Sequence, residues 1–232
     1  MAWLAHSVPS SMRLELGTPV RCQDGMLGEL ADVVIDPVKR SLTHIIVRPE
    51  IEALVGARLV PIDLVEAGEE QAGEEQQVIA LRCTVDHVRG LDPVEGFAYE
   101  GFGALPVDDP DWDVGVADVL ASPVYTSGEM GAGSYAAAAP MAYDRIPKDD
   151  VELRRSSPVR SSDGYHLGHV DALVVDSNDN VTHFELEHRR LWTRHKIRIP
   201  VASIKEIDTD AVTVALTKKQ VRALPSERVP RG

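Results

Sequence analysis

The sequence predicts an all-β protein made of two small β-barrels in tandem. Three observations carry this. Short runs of Val, Ile and Leu are separated throughout by Asp-Gly, Asp-Pro and Asn-Asp-Asn turns. One ordered set of such runs occurs twice. Aromatic residues make up only 5% of the chain, so the core must be built from aliphatic side chains. Five or six short strands in about 75 residues favour a closed barrel, because closure leaves no exposed strand edge.

The repeat is legible segment by segment. Pro19-Val20-Arg21 returns as Pro158-Val159-Arg160, and Asp24-Gly25 as Asp163-Gly164. Leu27-Gly28 returns as Leu167-Gly168, Val34-Ile35-Asp36 as Val174-Val175-Asp176, and Thr43-His44 as Thr182-His183. Val60-Pro61-Ile62 matches Ile199-Pro200-Val201, and Val88-Arg89-Gly90-Leu91 matches Val221-Arg222-Ala223-Leu224. Self-similarity in a fixed order marks a repeated structural unit. The copies span residues 14–96 and 151–224.

Within the first copy, Asp24-Gly25 reads as a hairpin turn, since glycine accepts a positive φ at little cost. The strand Leu30 to Ile35 follows, and Asp36-Pro37 ends it, because proline lacks a ladder donor. Leu42 to Val47 has the apolar, β-branched character of a buried strand. Leu59 to Ile62 and Val78 to Leu81 are further short strands. The second copy repeats the series, with Asn178-Asp179-Asn180 as the turn before Val181. Each copy ends in a short helical turn. Thr217 to Gln220 fits a capping box, in which the N-cap hydroxyl and the third helical side chain bond each other's backbone N–H. Thr84 to Leu91 is the counterpart, with His87 in place of the glutamine and hence a weaker cap.

Residues 97–150 form an acidic linker rich in Gly, Pro and Ala, with ten acidic residues against Arg145 and Lys148. Such composition suits a solvated tether. Yet Phe97, Tyr99, Phe102, Trp112, Tyr125, Tyr135 and Tyr143 concentrate here, which a disordered tether seldom shows. The expectation is a partly ordered linker, packed on the barrels over Phe97 to Val119 and Tyr143 to Pro147 and mobile over Thr126 to Pro140.

The net charge of −13, from 37 acidic and 24 basic residues, argues against the chain as a whole binding nucleic acid. A local basic patch on the second barrel remains open. No apolar run approaches the ~18 residues of a membrane span, and Met1 to Met12 carries no basic n-region, so the expectation is a cytoplasmic protein. Cys22 and Cys83 are too few for a disulfide scaffold and read as two reduced thiols.

The ordered set Asp24-Gly25, Leu27-Gly28, Asp32 to Asp36, Leu42 to Val47 and Leu59-Val60-Pro61, repeated in the second copy, resembles the PRC-barrel family. That family includes the cytoplasmic domain of the photosynthetic reaction-centre H subunit, the C-terminal domain of the ribosome maturation factor RimM, and stand-alone bacterial proteins. The resemblance covers about two thirds of the chain and implies tandem PRC-type barrels. It also implies docking roles, in ribosome assembly or beside an electron-transfer complex. The closest match is the stand-alone tandem type.

For chemistry, His183, His188 and His195 with Glu185 and Glu187 invite a metal reading. Strand alternation opposes it, placing His183 and His195 on opposite faces, and the spacing matches no zinc signature. His44 and His183 recur at one strand position, either as a matched ligand pair or as imidazoles whose hydrogen bonds fix each hairpin. No phosphate loop, nucleophile elbow or metalloprotease motif occurs, so neither catalysis nor a cofactor is expected.

The sharpest feature is charge asymmetry. Residues 14–96 hold 16 acidic and 7 basic side chains, whereas residues 151–224 hold 10 and 12. Arg189, Arg190 and Arg194 flank Trp192 at the tip of the Val181–Pro200 hairpin, a composition enriched in interface hot spots. Glu185 and Glu187 are expected to face Lys196 and Arg194 across that hairpin. The reading is a non-enzymatic interaction module. Its partner site is Arg189, Arg190, Trp192 and Arg194, and its partner is a protein, with RNA or an anionic ligand as the alternative. The tip could equally dock on the acidic half of the same chain, and a homo-oligomer is compatible with the sequence.

Overall fold

A computed structural model describes residues 11–50, 56–66, 77–99, 112–114, 140–155, 157–190, 193–208 and 211–229. The first half comprises β1 (Met12–Glu15), β2 (Pro19–Cys22), β3 (Gly25–Asp36), β4 (Ser41–Pro49), β5 (Arg58–Pro61), a 3-10 turn (Ile62–Leu64), β6 (Ile79–Ala80) and α1 (Val85–Arg89). Then come β7 (Glu95–Tyr99), β8 (Trp112–Val114) and β9 (Pro140–Pro147). The second half repeats the first with β10 (Val151–Arg154), β11 (Pro158–Arg160), β12 (His166–Val175), β13 (Val181–Arg190) and β14 (Thr193–Pro200). It continues with a 3-10 turn (Val201–Ser203), β15 (Ile204–Asp208), β16 (Ala211–Val214), α2 (Lys218–Val221) and β17 (Ser226–Val229).

The repeated residues have local work. Asp36 accepts the N–H groups of Val38 and Lys39 at 2.9 and 2.8 Å, and Asp176 accepts those of Asn178 and Asn180 at 2.8 and 3.0 Å. These are Asx-type turns. They bring Arg40 and Asp179 to the same left-handed position, at φ 58° and 61°. Asp24 and Asp163 accept the first helical N–H groups of α1 and α2, from Val85 at 2.9 Å and Lys218 at 3.0 Å. The capping box at Thr217 and Gln220 is complete, whereas at α1 only the Thr84 hydroxyl accepts from His87. The positive φ expected of both Asp-Gly glycines occurs at Gly164 alone, at 80°. Gly25 instead opens β3, directly opposite Cys22. Gly28 answers to close approach: a β-carbon there would lie 2.0 Å from the Arg48 carbonyl oxygen.

The all-β reading holds. The sheets, however, are open paths rather than closed barrels: β5-β4-β3-β2-β6 in the first half and β15-β16-β11-β12-β13-β14-β17 in the second. A separate sheet runs β7-β9-β8. The reason lies in the long strands. β3 pairs with β2 over its first part only, and beside its second part lies β10, from the other half. Reciprocally, β12 pairs with β11 and then with β1. The halves therefore exchange their leading strands, with Leu14 opposite Leu173 and Leu153 opposite Val33.

The hairpin turns meet as well. Leu42 N–H donates to the Asp179 carbonyl at 2.8 Å, and Val181 N–H to the Arg40 carbonyl at 2.9 Å. Direct contact between the two copies, expected for tandem repeats, thus takes the form of shared sheets. The chain crosses over at Leu16 and Gly17, where a φ of 91° suits only glycine without strain. Leu14 and Leu153 are completely buried, each contributing about 1.5–3 kcal/mol of burial. One apolar cluster consequently runs through both halves, from Val20, Leu30 and Ile45 to Phe184, Ile199 and Val212.

Candidate functional site

The proposed partner residues lie on the β13–β14 hairpin. Its ladder places Phe184 opposite Ile199 and Leu186 opposite Ile197. All four are buried, so this face meets the core as alternation predicted. Toward the tip the ladder continues with His188 opposite His195, Arg189 opposite Arg194 and Arg190 opposite Thr193. β17 extends these rows, with Arg228 beside His195 and Val229 beside Arg194. The structure thus brings Arg189 and Arg194 together across the hairpin. The side chains of Arg189, Arg190 and Arg194, and Trp192 altogether, lie outside the described residues. His183 and His195 fall on opposite faces of the ladder, as expected.

Closer to the root, charges are matched. Glu185, 2% exposed, accepts from Arg198 Nε at 2.7 Å and from Arg13 Nε at 2.8 Å. Lys196 Nζ lies 2.9 Å from both Glu15 Oε1 and Asp171 Oδ2. Arg13 also bonds Glu15, closing a network of three cations and three carboxylates. Burial disfavours the charge of Glu15, but hydrogen bonds from Lys196 and Arg13 outweigh it and hold the carboxyl below its ordinary range. Burial likewise disfavours the Lys196 ammonium, and hydrogen bonds to Glu15 and Asp171 outweigh it and push its pKa up.

The expected cross-hairpin pairs are therefore corrected by two residues. Glu185 stands opposite Arg198 and Glu187 opposite Lys196, because the ladder runs on until Arg190 pairs with Thr193. Arg13, Glu15 and Asp171 were missed. Their only signal was the polar–apolar alternation of Arg13-Leu14-Glu15-Leu16, which gives no hint that its partner strand belongs to the other copy.

The matching face of the first half is apolar. Ladder positions equate Ala31 with Asp171, Ile46 with Glu185, Ala57 with Lys196 and Leu59 with Arg198. There Ala31, Val34, Ile46 and Leu59 pack with Val94 and with Ile146 of β9. One face of the repeat is covered by the intervening segment, while its twin carries an ion-pair network.

The histidine pair is not equivalent in its bonding. His183 Nδ1 lies 3.1 Å from the Thr182 hydroxyl. His44 Nδ1 is buried without a hydrogen bond, which corrects the expectation that both imidazoles are fixed by one. The Thr43 hydroxyl donates instead to Asp150, at 2.6 Å. Burial lowers the His44 pKa, and Asp150 and Asp63 offset this in part. Among the described residues no group of three or more His, Cys, Asp or Glu side chains is placed to hold a metal. Among them, too, no helix is long and apolar enough to cross a membrane. No family model matches the chain, and no curated protein matches it.

Proposed function

We propose that this chain is a non-enzymatic docking module, two PRC-type units in tandem, acting in the cytoplasm and binding an acidic protein segment at the tip of the β13–β14 hairpin. One contrast carries the reading. At the hairpin root Arg198, Lys196 and Arg13 are each matched by a carboxylate. Beyond Glu187, Lys196 and Glu227, the ladder rows of β13, β14 and β17 hold His188, Arg189, Arg190, Arg194, His195 and Arg228 and no acidic residue. Arg189 directly opposes Arg194, an arrangement that costs stability on its own and is relieved by an anionic partner. The chain's charge of −13 opposes a long polyanion such as RNA, which would be repelled everywhere but this end. An acidic stretch of protein a few residues long fits the small patch.

The test is binding of an oligoglutamate peptide, and separately of single-stranded RNA, to the full chain and to the Arg189→Ala/Arg190→Ala/Arg194→Ala variant. Peptide affinity that is lost in the variant and falls with salt supports the reading. Preference for RNA with a steep salt slope establishes the anionic-ligand alternative. Equal binding by both proteins overturns the site.

A further inference from the structure

β12 departs from strict alternation near its start. Val159 pairs with Gly168 but Arg160 pairs with His166, so Leu167 is an extra residue opposite β11. Such a bulge re-aims the side chains beside it. In a regular strand residues three apart face opposite ways. Here His166 and His169 both come out exposed, while Leu167 between them is buried. The two imidazoles meet, with ring centroids 4.9 Å apart and planes inclined by 65°. The first half has the same bulge, with Met26 at the position of His166 and Glu29 at that of His169. There Glu29 forms an ion pair with Arg48, at 3.0 Å. The residue opposite His169 is Glu187, at the ladder position of Arg48. The histidine pair is therefore particular to the second half, and the repeat builds the same bulge without it.

We propose that His166 and His169 form a two-imidazole surface site for one borderline divalent transition metal ion, Cu(II), Ni(II) or Zn(II). The ring spacing carries the assignment. A metal about 2.1 Å from a ring nitrogen sits about 3.2 Å from that ring's centroid, so two centroids 4.9 Å apart subtend about 100° at the ion. That angle lies between those of square-planar and tetrahedral ligands, the geometries in which these metals bind nitrogen. Imidazole is also the ligand that suits them, whereas Mg(II) and Ca(II) take oxygen. The next polar residue along the strand, Asp171, is held by Lys196 at 2.9 Å and stays with the ion-pair network. Two protein ligands leave the ion's other positions to water. The site therefore binds and releases metal from solution and does not hold the fold together, unlike a closed four-ligand centre. Because affinity follows the Irving–Williams order, Cu(II) binds most tightly.

The full chain is titrated calorimetrically with Cu(II), Zn(II) and Mg(II), and the Cu(II) form is studied by electron paramagnetic resonance. The expected result is binding of Cu(II) and Zn(II) but not Mg(II), with two imidazole nitrogens on the tightest Cu(II) ion. His166→Gln and His169→Gln should each weaken that ion by roughly tenfold or more, since even an outer-shell partner is worth 10–100-fold. Both side chains are exposed, so the variants should fold and melt as the wild type does. His188→Gln/His195→Gln removes the other histidine pair that a ladder sets opposite each other, and should leave the tightest site unchanged. Wild-type affinity in His166→Gln/His169→Gln, loss of the tightest ion in His188→Gln/His195→Gln instead, or a Cu(II) spectrum with a single nitrogen would each overturn the proposal.

Discussion

Arg13 donates to Glu185 at 2.8 Å although 172 residues separate them. The contact exists only because β1 lies beside β12, in the other half of the molecule. Removing the guanidinium leaves a buried carboxylate whose remaining cation among the described residues is Arg198, itself 55% exposed. Arg13→Ala is expected to cost about 1–3 kcal/mol, the scale of an under-satisfied buried charge. In a double-mutant cycle with Glu185→Ala, measured by denaturant unfolding, a coupling energy of at least ~0.5 kcal/mol is expected. Additive losses would contradict the geometry.

Strand exchange also makes the halves adhere without the peptide chain between them. A protease site engineered between residues 126 and 139 and then cleaved should leave both fragments in one gel-filtration peak. Leu153→Pro, which removes a ladder donor and a buried side chain from β10, should release them or prevent folding. Two peaks from the cleaved, unsubstituted chain would refute the exchange.

The ion-pair network sets a pH window. The folded pKa of Glu15 is lowered, so its contribution is complete above the ordinary value of 4.5 and lost as pH falls through the folded value. Lys196 is raised, so its contribution is complete below the ordinary 10.5 and lost as pH climbs through the folded value. The melting difference between wild type and Glu15→Gln should therefore be largest near neutrality and vanish in strong acid. His44 acts with the opposite sign to a partnered histidine. Its depressed pKa makes stability fall as pH drops below 6.5, and His44→Gln should flatten that limb of the profile.

Phe184 is buried to 1% exposure, directly opposite Ile199. Phe184→Ala should cost about 3–5 kcal/mol in denaturant unfolding. Alanine at Arg189 and Arg190 should change stability by less than ~0.5 kcal/mol or raise it, since a like-charge opposition is relieved.

Gly28→Ala tests the close approach of β3 to β4. With the new carbon 2.0 Å from a carbonyl oxygen, the backbone has to shift, at a cost of about 1–3 kcal/mol. An unaltered melting temperature would show that the strands are farther apart.

How far the sequence reached can be judged residue by residue. The β3–β4 and β12–β13 hairpins were legible, because Asp36 and Asp176 act locally and strand alternation needs no knowledge of the partner. The caps at Thr84 and Thr217 were legible for the same reason. The exchange was not. Leu14 and Leu153 declare that they face a core, but alternation does not say whose. Its one trace is an inversion of sign, Arg13 and Glu15 in one copy against Glu152 and Arg154 in the other. That inversion becomes readable only once Glu185 and Lys196 are known to lie beneath the first pair. The hairpin register was missed because a shift of two residues preserves every face and so leaves no mark in the pattern.

The exchange also imposes a schedule on synthesis. When the ribosome has made β3, the part of that strand from Asp32 to Ile35 has no neighbour on its β10 side until residue 154 emerges, and β1 waits for residue 175. The nascent first half therefore carries an open strand edge and an unhoused Leu14 for as long as it takes to translate the acidic segment. Such an edge invites pairing with the wrong chain. Residues 97–150, translated in that interval, carry ten acidic side chains against two basic ones, and a like-charge density of this kind disfavours contact between neighbouring chains.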